Sequence, residues 1–167
     1  MARTFSSGIA ARLAAVGAMV VAVGLAGCES SPLRQAAEDD DREIEFLAPA
    51  DSWPYPFSPA VRAGGFLFVS GQIGAKMENG AMTLVPGGIE AETRQTMDNI
   101  RDILTRNGSS LERVTKCTVM IADMSEWPRM NAVYATYFPG PKAARSALGA
   151  NGLALGARVE IECIALV

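Results

Sequence analysis

Two charged residues near the C terminus, Arg145 and Glu162, stand in otherwise apolar stretches of the chain. Arg145 follows two alanines, and Glu162 lies between Ile161 and Cys163 in a run that is typical of a buried strand. Removing a guanidinium or a carboxylate from water is costly unless the group is paired or used. The two residues are therefore the first candidates for chemistry. The alternatives are a surface arginine in a loop and a carboxylate on an edge strand or in a structural ion pair.

The sequence of 167 residues contains no histidine, which excludes a Ser-His-Asp triad, a Cys-His pair and most catalytic zinc sites. Acid–base catalysis must then depend on carboxylates, tyrosine, lysine or water held by the backbone. The net charge is −3 and the chain has no basic block, so nucleic-acid binding has no electrostatic support. An apolar fraction of 49% is ordinary for a globular protein.

The hydrophobic pattern predicts a scaffold with the element order β–β–α–β–α–β, in which two helices cover one face of a sheet. In chain order the predicted elements are a short strand and turn at 60–65, a strand at 66–74, a loop at 76–88, a helix at 89–107, a strand at 114–122, a second helix that begins near Ser125 and ends before Pro139, and a last strand around 159–166. This arrangement belongs to the α+β class.

The last predicted strand carries large apolar side chains on both of its faces. One face holds Val159, Ile161, Cys163 and Ala165, and the other holds Glu160, Glu162, Ile164 and Leu166. Because helices cover only one face of the sheet, we expect another subunit to cover the face that includes Glu162. The pattern therefore predicts a closed homo-oligomer.

Residues 1–27 have the composition of a bacterial lipoprotein signal peptide. Arg3 and Arg12 are their only charged residues, the stretch 13–26 is apolar and small, and the segment ends Leu25-Ala26-Gly27 before Cys28. This pattern resembles the lipobox, in which the cysteine is diacylated and becomes the new N terminus. Two or three acyl chains anchor a protein stably to a bilayer. An ordinary cleaved signal peptide and an uncleaved anchor are the alternatives.

The anchor predicts a protein of the cell envelope that faces the periplasm, on the inner or the outer membrane. Residues 28–48 are predicted to be an acylated tether with an acidic run at 38–41, and a start of the domain at 43–47 is the alternative. A single folded domain is predicted at 49–167. Its two cysteines, Cys117 and Cys163, allow either a disulfide or two buried thiols. We predict free thiols, because neither cysteine lies in a loop.

Several separated motifs of the domain point to one family. They are Val69-Ser70-Gly71-Gln72-Ile73, the helix 95–104 with Asn99, Asn131 followed by Val133-Tyr134, Ala144-Arg145-Ser146, and Val159-Glu160-Ile161-Glu162. From about Trp53 to Val167 the chain resembles the Rid family of enamine/imine deaminases. The resemblance implies a chorismate-mutase-like α+β fold, with a mixed sheet covered on one face by two helices. It also implies a homotrimer with an inner β-barrel and three clefts between subunits.

The family's activity is hydrolysis of reactive enamines and 2-imino acids to 2-oxo acids and ammonia, without a metal or an organic cofactor. A guanidinium fork can hold the planar carboxylate of such a substrate, and a carboxylate with a raised pKa can move protons to and from water. The resemblance assigns these two catalytic roles to Arg145 and Glu162. The substrate-binding positions that it implies are Phe57, Ser70, Gly71 and Asn131.

Two features of this chain bear on the expected function. Phe57 stands where the family often has a tyrosine that lines the cleft, so one hydrogen bond would be lost and substrate preference would shift toward apolar side chains. An exported member would also need a source of imines outside the cytoplasm. The alternative function is therefore a trimeric module of the cell envelope that binds small carboxylates or protein partners without catalysis.

Overall fold

The computed structural model describes residues 43–48 and 54–167. The predicted signal peptide, Cys28 and the tether up to residue 42 lie outside these residues. In the part that the structure describes, no helix is both long and apolar enough to cross a membrane.

The described chain forms one six-stranded mixed sheet, a separate two-stranded hairpin and two helices. The strands are β1 (Glu45–Leu47), β2 (Ala60–Ala63), β3 (Phe66–Ile73), β4 (Ala75–Glu78), β5 (Ala81–Leu84), β6 (Val114–Ile121), β7 (Ala144–Gly149) and β8 (Val159–Leu166), and the helices are α1 (Gly88–Arg106) and α2 (Trp127–Thr136). The main sheet has the order β1-β2-β3-β8-β6-β7. Strands β6 and β7 are parallel, and the other four neighbouring pairs are antiparallel. The predicted mixed sheet with two helices is confirmed.

Both predicted helices form, and their apolar stripes explain how they pack. Ile89, Met97, Ile100 and Leu104 of α1 are fully buried against the sheet. The chain leaves α1 through Gly108, whose φ of 77° is the left-handed conformation with which many helices end. Helix α2 begins two residues after the start predicted near Ser125. The Asp123 side chain accepts a hydrogen bond from the Ser125 backbone N–H at 2.9 Å and caps a short 3₁₀ turn, and α2 begins only at Trp127.

Three short elements differ from the prediction. Residues 76–88 contain the hairpin β4–β5 instead of a simple loop, and its turn is Asn79-Gly80, where both residues have positive φ. Strand β1 falls within the segment 28–48 that was predicted as a tether, at the alternative start of the domain at 43–47, and pairs with β2. Strand β7 was not predicted, because its small residues give little hydrophobic alternation. It places Arg145 on a strand at the edge of the sheet.

The two faces of the main sheet differ as the alternation predicts. Leu67, Val119 and Ile161 are fully buried on the face that the helices cover. On the opposite face Phe66, Phe68 and Leu166 remain 37%, 43% and 41% exposed. Large apolar side chains therefore line a sheet face that no helix of the described chain covers.

The prediction of free thiols at Cys117 and Cys163 is wrong, because the two residues form a disulfide. They face each other at one register position of the antiparallel pair β6–β8, with their Cα atoms 4.1 Å apart. A disulfide therefore needs no loop here, since directly opposed residues of adjacent strands already lie within bonding reach. Both cysteines are buried on the helix-covered face.

Candidate functional site

Arg145 lies on the helix-covered face of the sheet, at its open edge. Strand β7 is parallel to β6, and the register places Arg145 beside Cys117, whose side chain points toward the helices. Two aromatic residues of α2 approach the guanidinium. Its central carbon lies 4.6 Å from the ring centroid of Tyr134 and 5.5 Å from that of Trp127. These distances are those of cation–π contacts.

The guanidinium of Arg145 makes no hydrogen bond and no ion pair within the described residues. Its side chain is half-buried, yet none of its nitrogens is a buried donor without a partner, so all of them reach solvent. Asn131 is also half-buried. It follows Trp127 by four residues and precedes Tyr134 by three, which puts it on the same side of α2 as the two rings. The structure therefore brings the predicted residues Arg145 and Asn131 to one region, with donors available for an anion.

The predicted residues Ser70 and Gly71 lie at a β-bulge, where the register of β3 against β8 shifts between Val69 and Gln72. The Gln72 side-chain amide donates hydrogen bonds to the carbonyl oxygens of Ser70 at 3.0 Å and Gly71 at 3.2 Å. The Ser70 hydroxyl donates to the carbonyl of Ser58 at 2.6 Å, and its backbone N–H donates to that of Pro59 at 3.0 Å. These bonds fix the irregular backbone of the bulge.

The segment 54–59 therefore lies alongside Ser70. Phe57, predicted to bind substrate, is 49% exposed in this segment, and its ring stacks on Tyr55 with centroids 5.6 Å apart. The structure thus places Phe57 on the same part of the molecule as Ser70 and Gly71.

A carboxylate that the sequence did not single out, that of Glu160, lies directly over Gly71. A Cβ atom added to Gly71 would be 2.0 Å from Glu160 Oε1, so glycine leaves room for the carboxylate in this position. Glu160 stands opposite Ile73 in the β3–β8 register. Burial raises the pKa of its carboxyl group above the ordinary value, and the negative charge of Glu162 raises that pKa further.

The predicted catalytic carboxylate, Glu162, occupies a different position. It is exposed on the same sheet face as Glu160, opposite Thr118 of β6, and lines a small surface depression together with Phe68 and Lys116. Glu160 and Glu162 both alternate with the buried residues of β8, so spacing alone could not distinguish them. The bulge at Ser70-Gly71, which sets what lies opposite each residue, is the feature that separates them.

The structure therefore contains two groups of candidate residues, and they lie on opposite faces of the sheet. We call Arg145, Asn131, Trp127 and Tyr134 the arginine half-site, and Ser70, Gly71, Phe57 and Glu160 the glutamate half-site. The arginine half-site is on the helix-covered face. Ile161 is buried on the helix-covered face. Its neighbour Glu160 therefore points to the opposite face of the sheet. Within the described residues, no group of three or more His, Cys, Asp or Glu side chains could hold a metal ion.

Comparison with known proteins shows the family of the chain. The family model described as Endoribonuclease L-PSP matches residues 49–167. The 2-iminobutanoate/2-iminopropanoate deaminase of Mus musculus is 41% identical over 111 residues, which are 66% of this chain and 81% of the mouse protein.

Two solved structures share the fold. YyfA from Yersinia pestis, whose structure is described as a protein of unknown function of the conserved Rid family, is 34% identical, with a TM-score of 0.68 over 75% of this chain and 100% of that one. E. coli TdcF with bound serine is 28% identical, with a TM-score of 0.62 over 74% of this chain and 95% of that one. The chain belongs to the Rid family, which the Endoribonuclease L-PSP model describes.

Proposed function

We propose that this protein hydrolyses the imines and enamines of 2-oxo acids to the 2-oxo acid and ammonia. The observation that carries the proposal is the guanidinium of Arg145, which is half-buried, open to solvent and unpaired within the described residues. A 2-imino acid offers the planar carboxylate that such a fork can bind with two parallel charge-assisted hydrogen bonds. The name of the mouse relative, a 2-iminobutanoate/2-iminopropanoate deaminase, supports this substrate class.

The site that we propose is a cleft between protomers of a homotrimer. Its arginine half-site comes from one protomer and its glutamate half-site from the next, because the two lie on opposite faces of a single sheet. The exposed apolar face with Phe66, Phe68 and Leu166 supports the assembly, since burying it against other copies would form an inner barrel and remove apolar surface from water. Family membership supports the same trimer.

In the proposed mechanism, Arg145 holds the substrate carboxylate and so fixes the imine carbon in the cleft. The ionised carboxylate of Glu160 accepts a proton from a water molecule while the water oxygen attacks that carbon, and Glu160 then gives this proton to the imine nitrogen and is ionised again. The resulting carbinolamine returns its hydroxyl proton to Glu160, which passes a proton to the amino nitrogen. The C–N bond then breaks, and ammonia and the 2-oxo acid leave. Glu160 is assigned this role ahead of Glu162 because it lies over Gly71 and is partly desolvated.

A module that binds small carboxylates without catalysis is the second candidate, and one observation favours it. TdcF, a solved relative, has been crystallised with bound serine, which is a small carboxylate. Such a module needs the arginine half-site alone. A desolvated carboxylate at Gly71 has no use in holding an anion, so Glu160 favours the hydrolase.

The test is an assay in which an amino-acid oxidase generates a 2-imino acid and semicarbazide traps what remains. The wild type should accelerate imine loss. Arg145→Ala should lower kcat/KM by about a hundredfold or more, since a charge-assisted hydrogen bond contributes about 1.5–3 kcal/mol. Glu160→Gln should abolish turnover while the 2-oxo acid product still binds.

The matched control is Arg94→Ala, which removes an exposed arginine of α1 and should leave the rate unchanged. Equal imine loss with and without the wild-type protein would overturn the hydrolase. If the wild type bound the 2-oxo acid without accelerating imine loss, the result would support the carboxylate-binding module instead.

We also propose that Cys28 is acylated and anchors the protein to a bacterial membrane, facing the periplasm. The support is the pattern Leu25-Ala26-Gly27-Cys28 after an apolar segment with a basic N terminus. Cys28→Ala should move the protein from the membrane fraction to the soluble fraction and prevent incorporation of a labelled fatty acid. Unchanged membrane retention and labelling of the variant would contradict lipidation at this residue.

A further inference from the structure

The surroundings of Arg145 differ from those of most other arginines in the described chain. Five arginines each form an ion pair with a carboxylate: Arg62, Arg101, Arg106, Arg129 and Arg158. Arg113 donates hydrogen bonds to the backbone carbonyls of the last two residues. Arg94 has no such partner and is exposed. Arg145 is half-buried, and the two partners that it has are aromatic rings.

An aromatic partner and a carboxylate partner have different consequences for a guanidinium. A carboxylate neutralises the charge and occupies the N–H donors. A ring attracts the cation through its negatively charged face and leaves the N–H donors at the edge of the guanidinium plane free. Rings at Trp127 and Tyr134 therefore stabilise Arg145 without competing with an anionic ligand.

Tyr134 belongs to the hydrophobic core, and Trp127 is partly buried against that core. Trp127 and Tyr134 lie seven residues apart on α2, which is two helical turns, so both project from one side of the helix toward β7. Tyr134 is only 7% exposed and packs against Phe138 with ring centroids 5.0 Å apart. Burial raises the pKa of the Tyr134 hydroxyl, and the positive charge of Arg145 offsets part of that rise. Tyr134 is therefore neutral and cannot act as a counter-ion.

We propose that Trp127 and Tyr134 are positioning residues, which hold the guanidinium of Arg145 so that its N–H edge is presented to the carboxylate of the substrate. The inference rests on the proposed function only for the identity of the ligand. The inference predicts that the two rings strengthen the binding of a carboxylate ligand. Without them the long arginine side chain would have to be ordered by the ligand, which weakens binding.

The experiment compares variants that keep the ring with variants that remove it. Trp127→Phe and Trp127→Leu are the main pair, because Trp127 is less buried than Tyr134. Tyr134→Phe and Tyr134→Leu are the second pair. Both variants lack the hydroxyl, so the difference between them measures the effect of the ring alone. The KM and kcat for a 2-imino acid are measured, together with the Kd of 2-oxobutanoate by calorimetry. Thermal unfolding and native mass spectrometry of each variant confirm that it folds and assembles as the wild type does.

In each pair the leucine variant should have a KM and a Kd about tenfold higher than the phenylalanine variant, with kcat changed less than twofold. Equal Kd values within both pairs would overturn the inference, and so would a loss confined to kcat. The calorimetric arm separates the two proposals. Suppose that neither the wild type nor any variant turns over imine, but the leucine variants bind 2-oxobutanoate more weakly than the phenylalanine variants. The hydrolase proposal then fails and the positioning role stands.

Discussion

At the scale of single residues, the proposed chemistry depends on how two carboxylates on one strand differ. Glu160 is partly desolvated over Gly71, whereas Glu162 is exposed two residues further along the same face. Burial is the main cause of the raised pKa of Glu160, and the charge of Glu162 adds to it. Glu162 therefore tunes the proposed proton acceptor.

The variant Glu162→Gln tests this relation through the pH dependence of kcat/KM. Glu160 must be ionised to accept a proton, so activity falls as pH decreases through its pKa. Removing the negative charge of Glu162 lowers that pKa, and the acidic limb should move to lower pH. Glu78→Gln, a change of an exposed carboxylate on the β4–β5 hairpin, should leave the limb in place. A limb that stays unchanged or moves upward in Glu162→Gln would contradict the coupling.

Sequence reasoning identified one half of this chemistry better than the other. Arg145 stood out as a charge among small residues, and the structure gives it a half-buried position without an ion pair. Glu162 is exposed, and the catalytic role predicted for it stays a prediction. Glu160 was passed over because alternation gives both glutamates the same face, and the bulge that places one of them over Gly71 depends on tertiary pairing.

At the scale of elements, the disulfide joins the strands that carry or support both half-sites. Cys117 lies on β6, beside Arg145 of β7, and Cys163 lies on β8, three residues after Glu160. It closes a segment with a sequence separation of 46 residues. Closing a loop of this length in the unfolded chain is expected to stabilise the fold by about 2–4 kcal/mol.

The double variant Cys117→Ala/Cys163→Ala should lose about that free energy of unfolding, which denaturant titration measures. A reductant should lower the midpoint of the wild type in the same direction. It should leave the midpoint of the double variant unchanged, because no disulfide remains to be reduced. A wild-type midpoint that neither the substitutions nor the reductant alter would show that the cross-link contributes no stability.

The pattern predicted the long elements and missed the short ones. Both helices carry clear apolar stripes, and strands β3, β6 and β8 are eight residues each, which is enough for alternation to be visible. Strand β1 has three residues, and β4 and β5 have four each. Segments this short are specified mainly by their neighbours in the sheet. The same limit explains the wrong prediction for the cysteines, since β6 and β8 had not been recognised as adjacent strands.

At the scale of the whole molecule, the two half-sites of the described chain do not meet within one copy. The two half-sites face away from each other across the sheet, and the apolar face with Phe66 and Phe68 is uncovered in the described chain. Both features have one explanation if copies of the chain associate through that face. The arginine half-site of one copy then meets the glutamate half-site of another, and assembly and activity depend on each other.

The most direct test mixes two variants that are each inactive, Arg145→Ala and Glu160→Gln. Mixed oligomers are prepared by co-expression and confirmed by native mass spectrometry. In a random mixture, about one interface in four joins an intact Arg145 to an intact Glu160, so about a quarter of the wild-type turnover per protomer should return. Mixed oligomers that show no more activity than the two variants measured separately would contradict a site shared between protomers.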